Sequence, residues 1–249
     1  MRRSFLCVLV SMLVFAVPAI GWANELLDNG SLAGLGVLIG ESPYRGVDDQ
    51  VYPVPVLILE ARQFFADKTV FGYYFNDKTD PVRWAVIGSV RLQGYEARDS
   101  SDLNGMQDRD WALDGGLRIS WKNAIADMIL EAVTDVSGTH EGQELRVSVA
   151  KELFEGFLSP KAGIKWQSDD LADYYYGIKP NEATAKRGEY TAGDELEYMA
   201  GITIGIPLGE KWVLFGDIEC TFLGDEVENS PIVGDDALMR YVAGAVYRF

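Results

Sequence analysis

The stretch Leu238-Met-Arg-Tyr-Val-Ala-Gly-Ala-Val-Tyr-Arg-Phe249 decides the fold. Read with period two, Met239, Tyr241, Ala243, Ala245, Tyr247 and Phe249 share one face. Leu238, Arg240, Val242, Gly244, Val246 and Arg248 share the other. An apolar face ending in aromatics, opposite a face with arginines and a glycine, suits a strand between lipid and a polar lumen.

Working outward, the same alternation recurs. Trp111, Leu113, Gly115, Leu117, Ile119 and Trp121 oppose Asp114, Gly116, Arg118 and Ser120, and a Trp marks each end of the apolar face. The runs 195–208 and 212–222 alternate likewise, as do 33–40, 51–60, 69–76, 84–95, 125–135, 143–153 and 156–166. Helical three-four spacing is nowhere sustained. A soluble sandwich also alternates, but these strands are long enough for a tilted bilayer crossing. Short turns near 122–123, 155–156 and 208–211 also separate long polar connections at 96–108, 167–193 and 224–237, the barrel pattern. The expected fold is therefore all-β: an antiparallel transmembrane β-barrel of 10–12 strands, of outer-membrane type. Eleven strands are counted, where a bacterial barrel has an even number. Either 51–76 is one long bent strand, giving ten, or Ala172–Ile178 adds one, giving twelve. Pro53 and Pro55 break part of a ladder and mark an edge or bulge near the rim.

The start of the chain agrees with this destination. Arg2 and Arg3 precede an almost wholly apolar run to Ile20, and Gly21-Trp-Ala23 offers small residues for cleavage. A signal peptide over 1–23, cut near Ala23, is expected, leaving 24–249 as a single barrel domain. Cys7 leaves with the leader, so Cys220 has no disulfide partner in the chain. Net charge is −16, with 22 Lys and Arg against 38 Asp and Glu. That balance argues against nucleic acid as a partner. The expected surroundings are outer-membrane lipid in a Gram-negative envelope, reached with the help of the barrel-assembly machinery. A last strand ending in Tyr247 and Phe249 resembles the signal that this machinery reads.

Chemistry is sparse. The inward register collects Arg91, Asp114, Asp127, Glu131, Glu144, Arg146, Glu152, Lys161 and Lys165 with Arg118, Glu195, Glu197, Asp217, Glu219, Arg240 and Arg248. Both signs interleave, so a lumen braced by ion pairs is expected; the acidic excess leaves a narrow cation-selective path as the sharper alternative. The single histidine, His140, lies in Ser137-Gly-Thr-His-Glu-Gly142, a turn-forming stretch, and is expected to be solvated rather than catalytic. No catalytic set, zinc-ligand cluster or phosphate-binding glycine motif is present in the sequence, and no cofactor is expected.

Four segments resemble the MipA/OmpV family of outer-membrane proteins. They are Gly34-Leu-Gly-Val-Leu-Ile-Gly40 with Tyr44-Arg-Gly46 and Tyr52-Pro-Val-Pro55; Tyr174-Tyr-Tyr-Gly-Ile-Lys-Pro-Asn-Glu-Ala183; the loop Leu223-Gly-Asp225 with Ser230-Pro-Ile-Val233; and the terminal strand. Asn104-Gly-Met-Gln-Asp108 departs from the family's Gly-Leu-Gly-Asp-Ile-Asp version. The resemblance implies a barrel without known catalysis. In one member it implies a scaffold joining a lytic transglycosylase to a peptidoglycan synthase, and in others surface adhesion or antibiotic permeability. Within the loop, Pro231 fixes a backbone angle, Ser230 can cap a turn, and Ile232 and Val233 can tuck beneath it. The expected function is a non-enzymatic scaffold or surface-interaction protein. A narrow small-solute or antibiotic-permeable channel is the alternative, and a barrel hydrolase comes third.

Overall fold

A computed structural model describes residues 31–249; the expected leader lies outside the described residues. Twelve antiparallel strands close into a barrel: β1 (Leu32–Gly40), β2 (Gln50–Ala61), β3 (Phe64–Asp67), β4 (Val70–Tyr74), β5 (Val82–Arg91), β6 (Ala112–Trp121), β7 (Asp127–Asp135), β8 (Gln143–Ala150), β9 (Leu158–Gln167), β10 (Glu195–Leu208), β11 (Trp212–Phe222) and β12 (Ala237–Arg248). Each strand pairs with its chain neighbours, and β12 returns to β1 with Leu32 opposite Arg248 and Gly40 opposite Arg240. Closure leaves no end strand, as a hydrocarbon medium demands, although the outer part of β2 is paired on its β1 side alone. Among the described residues no helix is long and apolar enough to span a membrane, so the strands carry the crossing.

The pleat sets the two faces. Leu35, Val37, Leu117, Trp84 and Ile218 are exposed on the outside, where lipid replaces water. Gly36 is needed on the inside: a Cβ there would lie 3.0 Å from Ala243 O and 3.3 Å from the Phe215 ring that covers it.

The strand count is twelve, but by a route that neither sequence alternative anticipated. Ala172–Ile178 adds no strand. Asp169–Tyr176 is a helix, α1, whose buried residues Leu171, Ala172, Tyr175 and Tyr176 repeat every four. Asp169 and Asp170 occupy its first turn, where the helix dipole favours negative charge. The twelfth strand is β3, which with β4 makes a hairpin about half the height of its neighbours. A second helix, α2 (Asp225–Glu228), is a single turn.

Running β12 toward the periplasm places the connections 41–49, 92–111, 136–142, 168–194 and 223–236 outside the cell. They pack together. Tyr44, Tyr95, Leu103, Met106, Leu171, Tyr175, Tyr176, Ile178, Leu223, Val227, Ile232 and Val233 form one buried apolar cluster above the barrel mouth. The barrel thus carries a lid with its own core.

Candidate functional site

The segments that carried the family resemblance are distant in sequence and converge in this lid. Tyr44 stacks edge-on against Tyr95 at 4.5 Å and lies 5.8 Å from Tyr176. Its hydroxyl donates to Tyr175 O. Ser230 Oγ donates to Tyr176 O at 2.6 Å, while Ile232 and Val233 are almost fully buried. The chain beside Tyr44 grips the same loop: Arg45 N–H donates to Ile232 O, and Arg45 Nε donates to Val233 O at 2.8 Å. Pro231 holds its place between Ser230 and these two buried side chains. The loop is seated on α1 from below and on residues 43–45 from the side.

One buried ion pair locks the lid. Glu182 accepts from Arg109 Nη2 at 3.0 Å, from Lys179 N–H at 2.9 Å and from Gln107 N–H at 2.8 Å. Burial alone would raise its carboxyl. The Arg109 guanidinium and the two backbone donors outweigh burial and hold it below the ordinary glutamate range. Arg109 also donates to Tyr174 O and Gln107 O. Burial pushes the Tyr95 phenol up to about 12, and those of Tyr44 and Tyr176 well above their usual value. Arg187 ties the departing segment down by donating to the carbonyls of Asp102, Asn104 and Glu182. The Arg109–Glu182 pair is invisible in the sequence, because its partners sit in separate loops.

His140 is not solvated. It is buried, with Nε2 2.9 Å from Asp114 Oδ1 and Nδ1 accepting from Gly142 N–H at 3.0 Å. The ring proton therefore belongs on Nε2, donated to Asp114. Asp114, Asp135 and His140 offer ligand atoms within 4.8 Å of one another. Those atoms are already engaged: Asp135 accepts from the N–H groups of Ser137, Gly138, His140 and Glu141, and Asp114 also holds Arg91 at 2.7 Å. The trio staples the β7–β8 loop to the wall. The sequence missed it because a polar hairpin reads as exposed.

Below the lid lies an interior cavity of about 440 Å³. Arg118, Glu197, Glu219 and Arg240 line it. Arg118 pairs with Glu131 at 2.6 Å, and Lys165 with Glu197 at 2.7 Å. Lys161 bridges Asp217 at 2.8 Å and Glu219 at 2.7 Å, and Arg240 adds to Glu219 at 2.7 Å. Glu195 stands higher, buried at the outer end of β10, where it accepts from Val227 N–H of α2. Arg248 is exposed at the opposite rim. There the Tyr247 ring lies 5.5 Å from Trp212 and 5.3 Å from Phe249, an aromatic row at the periplasmic edge. The arrangement can stiffen a barrel and hold charge, but it presents no activated nucleophile.

The comparisons with known proteins agree with this architecture. The family model of MltA-interacting protein MipA matches residues 33–249. The MltA-interacting protein of Escherichia coli K12 is 27% identical over 87% of this chain and 89% of its own length. The outer membrane protein OmpV of Vibrio cholerae is 28% identical over 75% and 73%. The outer membrane protein YiaT of Escherichia coli K12 is 25% identical over 95% and 96%. These relatives are named as interacting or outer-membrane proteins, not as enzymes. With a closed barrel whose outward face is apolar, they place the chain in the outer membrane of a Gram-negative bacterium, and the chain belongs to the MipA family.

Proposed function

We propose that the protein is a non-enzymatic scaffold and surface-interaction barrel, and that its partners include a lytic transglycosylase and a peptidoglycan synthase. The observation that carries this reading is the lid. A mouth covered by a fully buried apolar cluster and a locked ion pair is built to hold a shape, not to pass solute. The relative named for interaction with MltA supplies the class of partner. Within this reading the barrel anchors the complex, Tyr247 and Phe249 serve recognition by the assembly machinery, and the short periplasmic turns face the murein enzymes. Cross-linking in intact envelopes followed by affinity capture tests it. Recovery of a lytic transglycosylase is expected, and capture of envelope proteins without any murein enzyme overturns it.

The cation path is the second reading, and the charged cavity is the observation in its favour. Against it, Asp217 and Glu219 are already neutralised by Lys161 and Arg240. Planar-bilayer recordings should show no steps. Steps whose cation preference falls on replacing Asp217 and Glu219 would revive the channel.

A further inference from the structure

The wall of this barrel is incomplete on one side. β3 pairs with β2 only from Ile58 to Ala61, and the last contact is Lys68 N–H to Leu57 O. Above that point the outer part of β2, residues 50–56, has β1 on one side and no strand on the other. The β3–β4 tip, Lys68-Thr69, forms the sill of the opening, and β5 ends close above it, with Val90 N–H bonded to Thr69 O. The opening lies at bilayer depth. At the same level on β1, Leu35, Val37 and Ile39 are exposed to lipid.

The edge is prepared for an apolar medium. Backbone groups alternate sides along a strand. Since Leu57 O points toward β3, positions 55 and 53 point their backbone the same way, into the opening. Both are proline, so neither places an N–H there. At these two positions no ladder bond is lost and no donor is left unpaired in hydrocarbon, although the carbonyls of Pro53 and Pro55 and the Val51 backbone at the outer end have no strand partner on this side. They also block a second strand from pairing at this edge.

What lies behind the opening is two-faced. Val54, Val56, Leu38 and Val242 line the interior on the β12–β1–β2 side. The facing wall carries the ion-paired cavity, which extends to Asp67, Lys68 and Thr69 at the sill. An interior that is apolar on one side, charged on the other and open sideways to the outer leaflet matches the chemistry of an amphiphile.

We propose that the interior behind the opening is entered laterally, over the β3–β4 tip, by the acyl chain of a membrane amphiphile, which lies along Val54, Val56 and Leu38 while its charged headgroup lies against Lys68 and the paired side chains of the cavity. This gives the barrel a lipid-binding site that its scaffold role does not require.

Quenching by brominated acyl chains tests it. Single cysteines are placed, in a Cys220→Ser background, at Thr69 on the sill and at Val242 on the inner face of the unbroken wall. Each is labelled with a fluorophore, and the protein is reconstituted in brominated phosphatidylcholine vesicles. Both probes should lose fluorescence, because Val242 belongs to the apolar lining that an entering chain reaches. Quenching at Thr69 alone, which bulk lipid can produce, overturns the proposal. Since labelled variants can fail to fold, the unmodified protein provides a second measurement in vesicles containing a diazirine-tipped phospholipid. Photoadducts on Val54, Val56 or Thr69 are expected, and adducts confined to outward residues such as Leu35 and Val37 overturn it.

Discussion

The lid and the barrel bury opposite things. In the lid, Leu103, Leu171, Tyr175 and Val227 are 0% exposed, and the buried Arg109–Glu182 pair is held by further hydrogen bonds to the backbone. In the barrel, Leu117 and Val51 are each 61% exposed on the outer face, while Asp114, Arg118 and Glu197 are buried inside. The hydrophobic effect acts on both, but with different solvents. Above the membrane, water drives apolar side chains inward; within it, lipid accepts them and leaves the interior to ion pairs and backbone ladders. One chain folds by two rules, and the change of rule falls at the outer strand ends.

Breaking the barrel should cost most. Phe249→Asp places a carboxylate in the periplasmic aromatic row beside Tyr247. The direct lipid penalty near an interface is of order 0–1 kcal/mol. A severe loss of heat-modifiable protein from outer-membrane fractions is nevertheless expected, because recognition by the assembly machinery would fail. Near-normal levels would show that the ring serves only as an interfacial anchor.

Breaking the lid should leave the barrel standing. Arg109→Leu strands Glu182 as a buried carboxylate without its cation, a change that costs about 3–5 kcal/mol. Added protease should then cut within 168–194 or 92–111 while heat-modifiable migration persists. Simultaneous loss of both would show that lid and wall fold as one unit.

Acid should reach the lid by a milder route. The Glu182 carboxyl is held below its ordinary value, so its stabilisation is complete at neutral pH. It is lost as pH falls from about 4.3 through the lower folded-state value. Hydrogen-exchange protection at the Gln107 and Lys179 amides, taken relative to the intrinsic rate at each pH, should fall across that window. Glu182→Gln, which cannot titrate, should flatten this dependence.

The smallest effect is expected in the lumen. Arg240 is 41% exposed and shares Glu219 with Lys161. Arg240→Gln should change stability by about 1 kcal/mol or less, seen as an almost unchanged urea midpoint for unfolding from vesicles. A large shift would mean that the interior pairs brace the wall individually rather than as a redundant set.

The sequence revealed the barrel far better than the lid, for the same reason that the two differ. A strand between lipid and lumen must alternate residue by residue, so Met239 to Phe249 or Trp111 to Trp121 show their faces locally. β3 escaped notice because four residues are too few to display a period. The lid core joins Tyr44, Tyr95, Leu171 and Ile232, each from a different loop, so no window contains its pattern. Ala172–Ile178 offers itself as one of two alternatives for an even strand count because three consecutive tyrosines favour extended chain, and two helical turns are too short to outweigh them. Pro53 and Pro55 did mark an edge, yet only the stunted hairpin beside them shows why an edge is there.

The seam between β1 and β12 has a consequence for biogenesis. It joins the first described strand to the last, so the final ladder forms only when the rest of the wall is in place. Chain-closure entropy is not the obstacle, since each doubling of a loop adds only about 0.6 kcal/mol. Timing is the obstacle: contacts this remote form late, and a chain interrupted before β12 would leave two unpaired strand edges in hydrocarbon. The seam therefore acts as a completeness check, and the outer membrane should hold whole molecules and few fragments.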